Sequence, residues 1–197
     1  MYGLEKTAIT SGFPRRIGEP IDFVNDGVLS GTDYMRLKSL GKVQIGTGHD
    51  NALKGIIVQF DICFPQYLTP QLQRYHWFEI VSSQSKMHML TANATKDTFN
   101  NDFNKYVDPS LITIIKTYAE NYRNATTGED SYYWFMKTLS NLPMGYEMWM
   151  GITTNYLQLK TMYYQRRGHK LSEDYTALIN MMKELPLFMK LIGESNE

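Results

Sequence analysis

The 197-residue sequence holds a single cysteine, Cys63. No disulfide framework can be drawn within one chain, which fits a reducing cytoplasm, and Cys63 reads as a small core residue rather than a nucleophile. A basic surplus is also missing: Lys plus Arg number 20 and Asp plus Glu 20, for a formal net charge of zero. That argues against the electrostatic footprint of a nucleic-acid-binding protein, although a local basic patch remains compatible. No apolar run approaches a membrane span, and Met1 to Pro20 lacks the apolar stretch of a signal peptide. A cytoplasmic protein without a membrane partner is expected. The four histidines, His49, His76, His88 and His169, show no metal-ligand spacing, and no CxxC pair or carboxylate triad accompanies them. No metal is expected. Ser85 lies in no GxSxG elbow, and Gly46 and Gly48 lack the GxGxxG or Walker spacing of a phosphate cradle.

What is present is an ordinary globular composition, 43% hydrophobic and 20% charged, long enough to bury a sizeable core as one domain, 1–197. Fourteen tyrosines and twelve methionines exceed the usual share, without a mechanism that explains them. The most informative stretch runs from Gly46 to Leu90. Val58, Phe60, Ile62 and Phe64 alternate with Gln59, Asp61 and Cys63, the pattern of a half-buried strand. Thr69 and Pro70 read as the cap and first position of a helix that stops before Ser82-Ser83, followed by a polar loop. A strand, a polar helix and a polar loop in close order can deliver several side chains to one pocket.

Elsewhere, Gly12, Pro14, Gly18, Pro20, Gly27 and Gly31 punctuate residues 1–32, which read as a loop or an arm, with Arg15-Arg16 a solvated basic pair. Thr32 or Asp33 caps a helix over Tyr34, Leu37 and Leu40, ended by Gly41. Phe99, Phe103 and Tyr106 are spaced for a short amphipathic helix, and Ser110 caps a stronger one carrying Leu111, Ile114, Ile115, Tyr118, Ala119 and Tyr122. Glu129 to Leu142 is helical up to Pro143. Met148, Ile152, Leu159, Met162 and Tyr163 repeat at three and four, predicting one long central helix over 144–167 closed by Gly168. Arg166-Arg167 at its end suits the helix dipole as well as it suits a ligand. Ser172 caps a last helix ended by Pro186. The fold class is therefore α+β, with a small sheet early and helices late.

The order and spacing of these residues resemble the flavin-dependent thymidylate synthases. In that family a Gly-His pair precedes a strand, and a helix leads into RHRxxSxNExSxR; Gly48-His49, the strand to Phe64, Tyr75-His76-Trp77 and Ser85 occupy these places. The family's Leu-Pro, its helix of the form NxRxLxxFxxxR and its closing helix before Pro are matched by Leu142-Pro143, by Asn155, Leu159 and Arg166, and by Asp174 and Pro186. The resemblance covers residues 46–191, leaving 1–45 as an N-terminal arm and first helix. It implies a mixed sheet flanked by helices, assembled as a homo-tetramer with dihedral symmetry. It also implies reductive methylation of dUMP with FAD, NADPH and methylenetetrahydrofolate. Carried over residue by residue, Arg166 and Ser85 would act in catalysis and, with Gln84, hold the nucleotide; His76, Asn155 and Arg74 would hold the flavin. Several family positions are replaced: the RHR arginines by Tyr75 and Trp77, Asn-Glu by Ser82-Ser83, the last motif Arg by Met87, the Arg before Leu-Pro by Leu139, and the helix Arg by Leu157. Three readings follow. One is a working synthase. A second is a relative with a different nucleotide or flavin reaction, its pocket reshaped by Trp77, Gln84 and His88. The third is a nucleotide-binding, flavin-binding or structural oligomer without synthase activity.

Overall fold

A computed structural model describes residues 1–15, 31–94 and 96–195. Arg16, Gly18, Pro20 and Gly27, singled out in the sequence, lie outside the described residues. The chain divides into two compact units: Met1–Phe60 with Tyr75–Glu79 and Thr153–Glu197, and Asp61–Arg74 with Ile80–Ile152.

The sheet has three strands, β1 (Ile57–Pro65), β2 (Glu79–Ser83) and β3 (Glu147–Asn155), in the order β1-β3-β2. Every pairing in it is antiparallel among the described residues, so the α+β class stands with a simpler sheet than a mixed one. The β1 alternation is realised as read: Val58, Ile62 and Phe64 are buried while Gln59 and Asp61 are exposed.

The expected long helix over 144–167 is instead strand β3 followed by α7 (Tyr156–Arg166). Met148, Met150, Ile152 and Thr154 are buried, and Trp149, Gly151 and Thr153 face the other way. A spacing of four joins Met148 to Ile152, and it satisfies both a helical turn and an even strand alternation. The β-branched run Ile152-Thr153-Thr154 tips the balance toward a strand. Asn155 marks the junction: its side chain accepts a 2.9 Å hydrogen bond from Gln158 N and caps α7.

Smaller corrections follow from local capping and turn chemistry. The helix expected from Pro70 is the single turn α3 (Thr69–Leu72), with Thr69 helical, and Ser82-Ser83 belong to β2 rather than to a loop. The amphipathic helix expected around Phe99 to Tyr106 is a 3₁₀ turn over Asp97–Asp102, after which Phe103 bridges to Tyr146. Asp108, not Ser110, caps α5 (Pro109–Asn124): its carboxylate accepts from Ser110 N at 2.8 Å, with Pro109 in the first turn. The first residues form a short helix, α1 (Leu4–Thr10), and Tyr2 bridges to Ile57, so this part is not a loop.

In the first unit, α7 packs on α8 (Ser172–Glu184) and on the 3₁₀ turn His49–Gly55, while α2 (Gly31–Gly41) packs on α1 and on α9 (Phe188–Ile192). Leu37, Leu53, Tyr156, Leu159, Tyr175 and Phe188 form its core. Gly41 permits the α2–α9 approach, since a Cβ there would stand 2.5 Å from Leu191 O. In the second unit α4 (Lys86–Asn93) packs on the hairpin of α5 and α6 (Gly128–Ser140). There Phe99, Phe103 and Tyr146 stack edge to face at 5.1 and 5.3 Å.

Candidate functional site

In the first unit the residues of interest gather on α7. Asn155 and Arg166 sit at its opposite ends, about 16 Å apart along a helix rising 1.5 Å per residue. Asn155 is 4% exposed, and its amide oxygen is committed to the helix cap. Arg166 ends the helix, donating from Nε to the Tyr75 hydroxyl at 2.7 Å; that hydroxyl donates in turn to Gln165 Oε1 at 2.9 Å. The guanidinium lies 5.3 Å from the Tyr75 ring centre and 4.9 Å from that of Tyr175. Burial raises the pKa of Tyr175 while the Arg166 cation opposes that rise, so Tyr175 stays neutral beside it. Tyr75, standing where the family signature places an arginine, is thus an anchor for Arg166.

The neighbouring chain is held just as firmly. Trp77 N donates to Gln158 Oε1 at 3.2 Å, and Thr154 Oγ1 donates to Trp77 O at 2.6 Å. His76 is exposed, its ring edge-on to the half-exposed Trp77 at 5.2 Å. Sequence reasoning missed Gln158 and Gln165, because glutamines on an apolar helix carry no motif. It also missed Lys160, which is 2% exposed. Its ammonium donates to Asp50 Oδ2 at 2.7 Å and to Val43 O at 2.6 Å, fastening the Gly46–Asp50 turn to α7.

Beside that turn lies a cavity of about 950 Å³. Arg15, Arg36, His49 and Asn51 line it, with hydroxyls from Thr10, Ser11, Thr32 and Ser39. Arg36 pairs with Asp33 at 2.6 Å, leaving cationic character from Arg15 and hydrogen-bonding groups on most walls. The volume lies at the upper end for ligand pockets and admits a dinucleotide. Arginine next to hydroxyl and amide groups suits a phosphate ester.

The second unit holds Arg74 and Ser85, both exposed, and Gln84. Gln84 N donates to Trp149 O, and Trp149 N donates to Gln84 Oε1, both at 3.0 Å, so this side chain extends the sheet ladder. A cavity of about 410 Å³ lies nearby, with Gln66, Gln73, Ser83 and Lys86 among its polar walls and Ile80, Met144, Met148 and Met150 among its apolar ones. Lys86 Nζ donates to Gln66 Oε1 at 2.6 Å. An ammonium at one edge of a methionine-walled slot, with amides beside it, matches a small anion carrying a flat ring. Cys63 takes no part: burial first, then the Glu147 and Asp102 charges, push its thiol up to about 11, so it is not a thiolate at neutral pH.

No protein family's sequence profile matches the chain, and no curated protein does. Its fold is similar to two crystal structures of flavin-dependent thymidylate synthase ThyX from Helicobacter pylori, each with FAD and dUMP. The first aligns at a TM-score of 0.63 and 15% identity over 96% of this chain and 92% of that one. The second gives 0.60 and 16% over 83% and 82%. No helix among the described residues is long and apolar enough to cross a membrane.

Proposed function

We propose that this chain binds a flavin dinucleotide and a pyrimidine deoxynucleotide as a divergent relative of the flavin-dependent thymidylate synthases, with synthase turnover reduced or lost. The observation that carries the reading is the 950 Å³ cavity, whose arginines, histidine and hydroxyls fit the phosphates of FAD. Arg15 would meet the pyrophosphate, since Arg36 is neutralised by Asp33, and His49 and Asn51 would bond the flanking oxygens. FAD, when bound, would supply hydride chemistry to the nucleotide; every other role falls to the chain's own groups. Lys86 would meet the 5′-phosphate in place of the arginines replaced by Met87 and Leu139. Gln73 would read the polar edge of the pyrimidine, and Met148 and Met150 would cover its face.

A homo-tetramer whose further copies complete the site around Arg166 belongs to the proposal, with Asn155, buried in the cap of α7, holding the start of that helix. His76, Arg74, Gln84 and Ser85 would contribute at its subunit boundaries. NADPH and methylenetetrahydrofolate belong only to the active-synthase version. The replacement of motif arginines by Met87 and Leu139 favours the binding protein over the full enzyme, while the tie from Arg166 Nε to Tyr75 fixes the direction of the remaining guanidinium donors. The test is purification followed by reconstitution with FAD and titration with dUMP. Visible flavin absorbance that persists through gel filtration, dUMP binding, and weak tritium release from labelled dUMP are the expected results. A colourless protein that binds neither would refute the proposal, and tritium release at ordinary enzyme rates would restore the working synthase.

A further inference from the structure

In the second unit, helix α6 carries a stripe that the fold leaves uncovered. Asp130, Tyr133, Trp134 and Lys137 recur at three, four and seven, so they share one helix face. Tyr133 is 54% exposed and Trp134 is half-buried. On α5, Leu111, Ile114 and Tyr118 form a second stripe, with Leu111 44% and Ile114 41% exposed. The two stripes adjoin, since the ring centres of Tyr118 and Trp134 are 5.9 Å apart. The Lys137 ammonium stands over that seam, 5.0 Å from the Tyr118 ring, 5.3 Å from Trp134 and 5.4 Å from Tyr133. It donates to the Tyr133 hydroxyl at 3.2 Å, which leaves two N–H donors. Asp130 Oδ2 accepts from the Thr127 hydroxyl at 2.8 Å, and Oδ1 has no partner among the described residues. The helix dipole accounts for an acid at the start of α6 and a base near its end. It does not account for the aromatic and aliphatic surface exposed between them.

We infer that this face binds a second copy of the chain, α6 lying antiparallel on α6 about a two-fold axis that passes between Tyr133 and Trp134. Charge complementarity selects the occupant. Asp130 and Lys137 lie equally far from the Tyr133-Trp134 step, one before it and one after. An antiparallel copy centred on that step therefore sets Asp130 against the partner's Lys137 and Lys137 against the partner's Asp130. A parallel copy would set acid on acid and base on base, which repel. One symmetric contact thus supplies an acceptor for the two spare Lys137 donors and a donor for Asp130 Oδ1, at both ends of the stripe. At the centre the Tyr133 and Trp134 rings meet their counterparts, and Leu111 and Ile114 extend the apolar surface alongside. With 13 residues, α6 is about 20 Å long, and the two-helix face is about 20 Å wide. Each copy offers about 400 Å², the low end for specific interfaces, so the association is reversible and follows protein concentration.

This contact rests on no flavin or nucleotide site, and its failure leaves the proposed function untouched. Zero-length carbodiimide cross-linking of the full-length protein, with mass spectrometry of the joined peptides, reads the register directly. Within one copy Asp130 and Lys137 are about 10.5 Å apart along the axis, too far for a direct amide bond, so an amide between them reports two copies. A covalent dimer carrying that bond is expected, and Lys137→Glu should lose it. Sedimentation equilibrium from about 1 to 200 µM should show the average mass rising with concentration, and Lys137→Glu should weaken the association at least about tenfold. The charge swap, Asp130→Lys with Lys137→Asp, restores opposite signs across the two-fold axis and should recover most of the association, whereas Asp130→Lys alone should not. Circular dichroism checks that each variant keeps its helices. Absence of the covalent dimer, cross-links that join only other residues, or association unchanged in Lys137→Glu would each overturn the inference.

Discussion

Tyr75 holds Arg166: the phenol oxygen accepts the Nε–H at 2.7 Å, across 91 residues of sequence. Tyr75→Phe removes that acceptor and also the donor to Gln165 Oε1. A loss of about 1–3 kcal/mol is expected from polar groups left short of a partner. At about 2–4 °C per kcal/mol for a chain of this size, differential scanning calorimetry should register several degrees. An unchanged melting temperature would mean that Arg166 readily finds another partner. If the freed Arg166 serves the nucleotide, the same variant should bind dUMP more tightly.

Lys160 and Asp50 form a pair with both side chains almost fully buried, 2% and 3% exposed, at 2.7 Å. Lys160→Met leaves a buried carboxylate without its cation and should cost about 3–5 kcal/mol in urea unfolding. The double replacement Lys160→Met with Asp50→Leu should recover most of that loss, since no lone charge remains. If the double variant is as unstable as the single one, the pair's contribution lies in fixing the 43–50 turn through Val43 O rather than in charge compensation.

Alkaline stability should carry the mark of Cys63. Its thiol pKa is raised from 9.0 to about 11, first by burial and then by Glu147 and Asp102. Below pH 9 both folded and unfolded thiols are protonated, and the stabilising effect is fully present. Between pH 9 and about 11 the unfolded chain gives up its proton while the folded chain keeps it, so stability falls as pH rises. Cys63→Ala should flatten that part of the stability profile. Alkylation of the native protein by iodoacetamide at pH 8 should be far slower than alkylation in urea.

Flavin affinity should depend on the arginine-lined cavity and nucleotide affinity on Lys86, independently of one another. Arg15→Ala is expected to weaken FAD by about 10- to 100-fold, the loss of one charged hydrogen bond of roughly 1.5–3 kcal/mol. Lys86→Met should weaken dUMP to a similar degree and blunt its salt dependence. Fluorescence quenching for flavin and calorimetry for dUMP separate the two effects. A loss of flavin binding in Lys86→Met alone would show that the two cavities have been misassigned.

Local pattern was enough for much of the chain. The β1 strand was legible because Val58 to Phe64 alternates strictly, and burial of one face leaves a single register open. Helices α5, α6 and α8 were legible because their apolar residues recur at three and four, but their starts were not: Asp108 and Thr127 cap α5 and α6, and Ser172 lies inside α8, which has no side-chain cap. The sequence order Gly48-His49, His76, Ser85, Leu142-Pro143 and Arg166 pointed to the same fold that the similarity to the two thymidylate synthase structures shows. For β3 the local pattern was ambiguous, since Met148 and Ile152 fit either period; the β-branched run Ile152-Thr153-Thr154 leaned toward a strand and pairing with β1 and β2 completed it. Tertiary structure decided the brevity of α3: the segment that follows α3 is drawn into bonds with Gln158, Thr154 and Gln165, far along the chain. The anchoring of Arg166 by Tyr75 and the burial of Lys160 against Asp50 have no local signature either. Each arises where distant segments meet, and the energy that fixes it is a hydrogen bond or an ion pair between residues that the sequence does not place side by side.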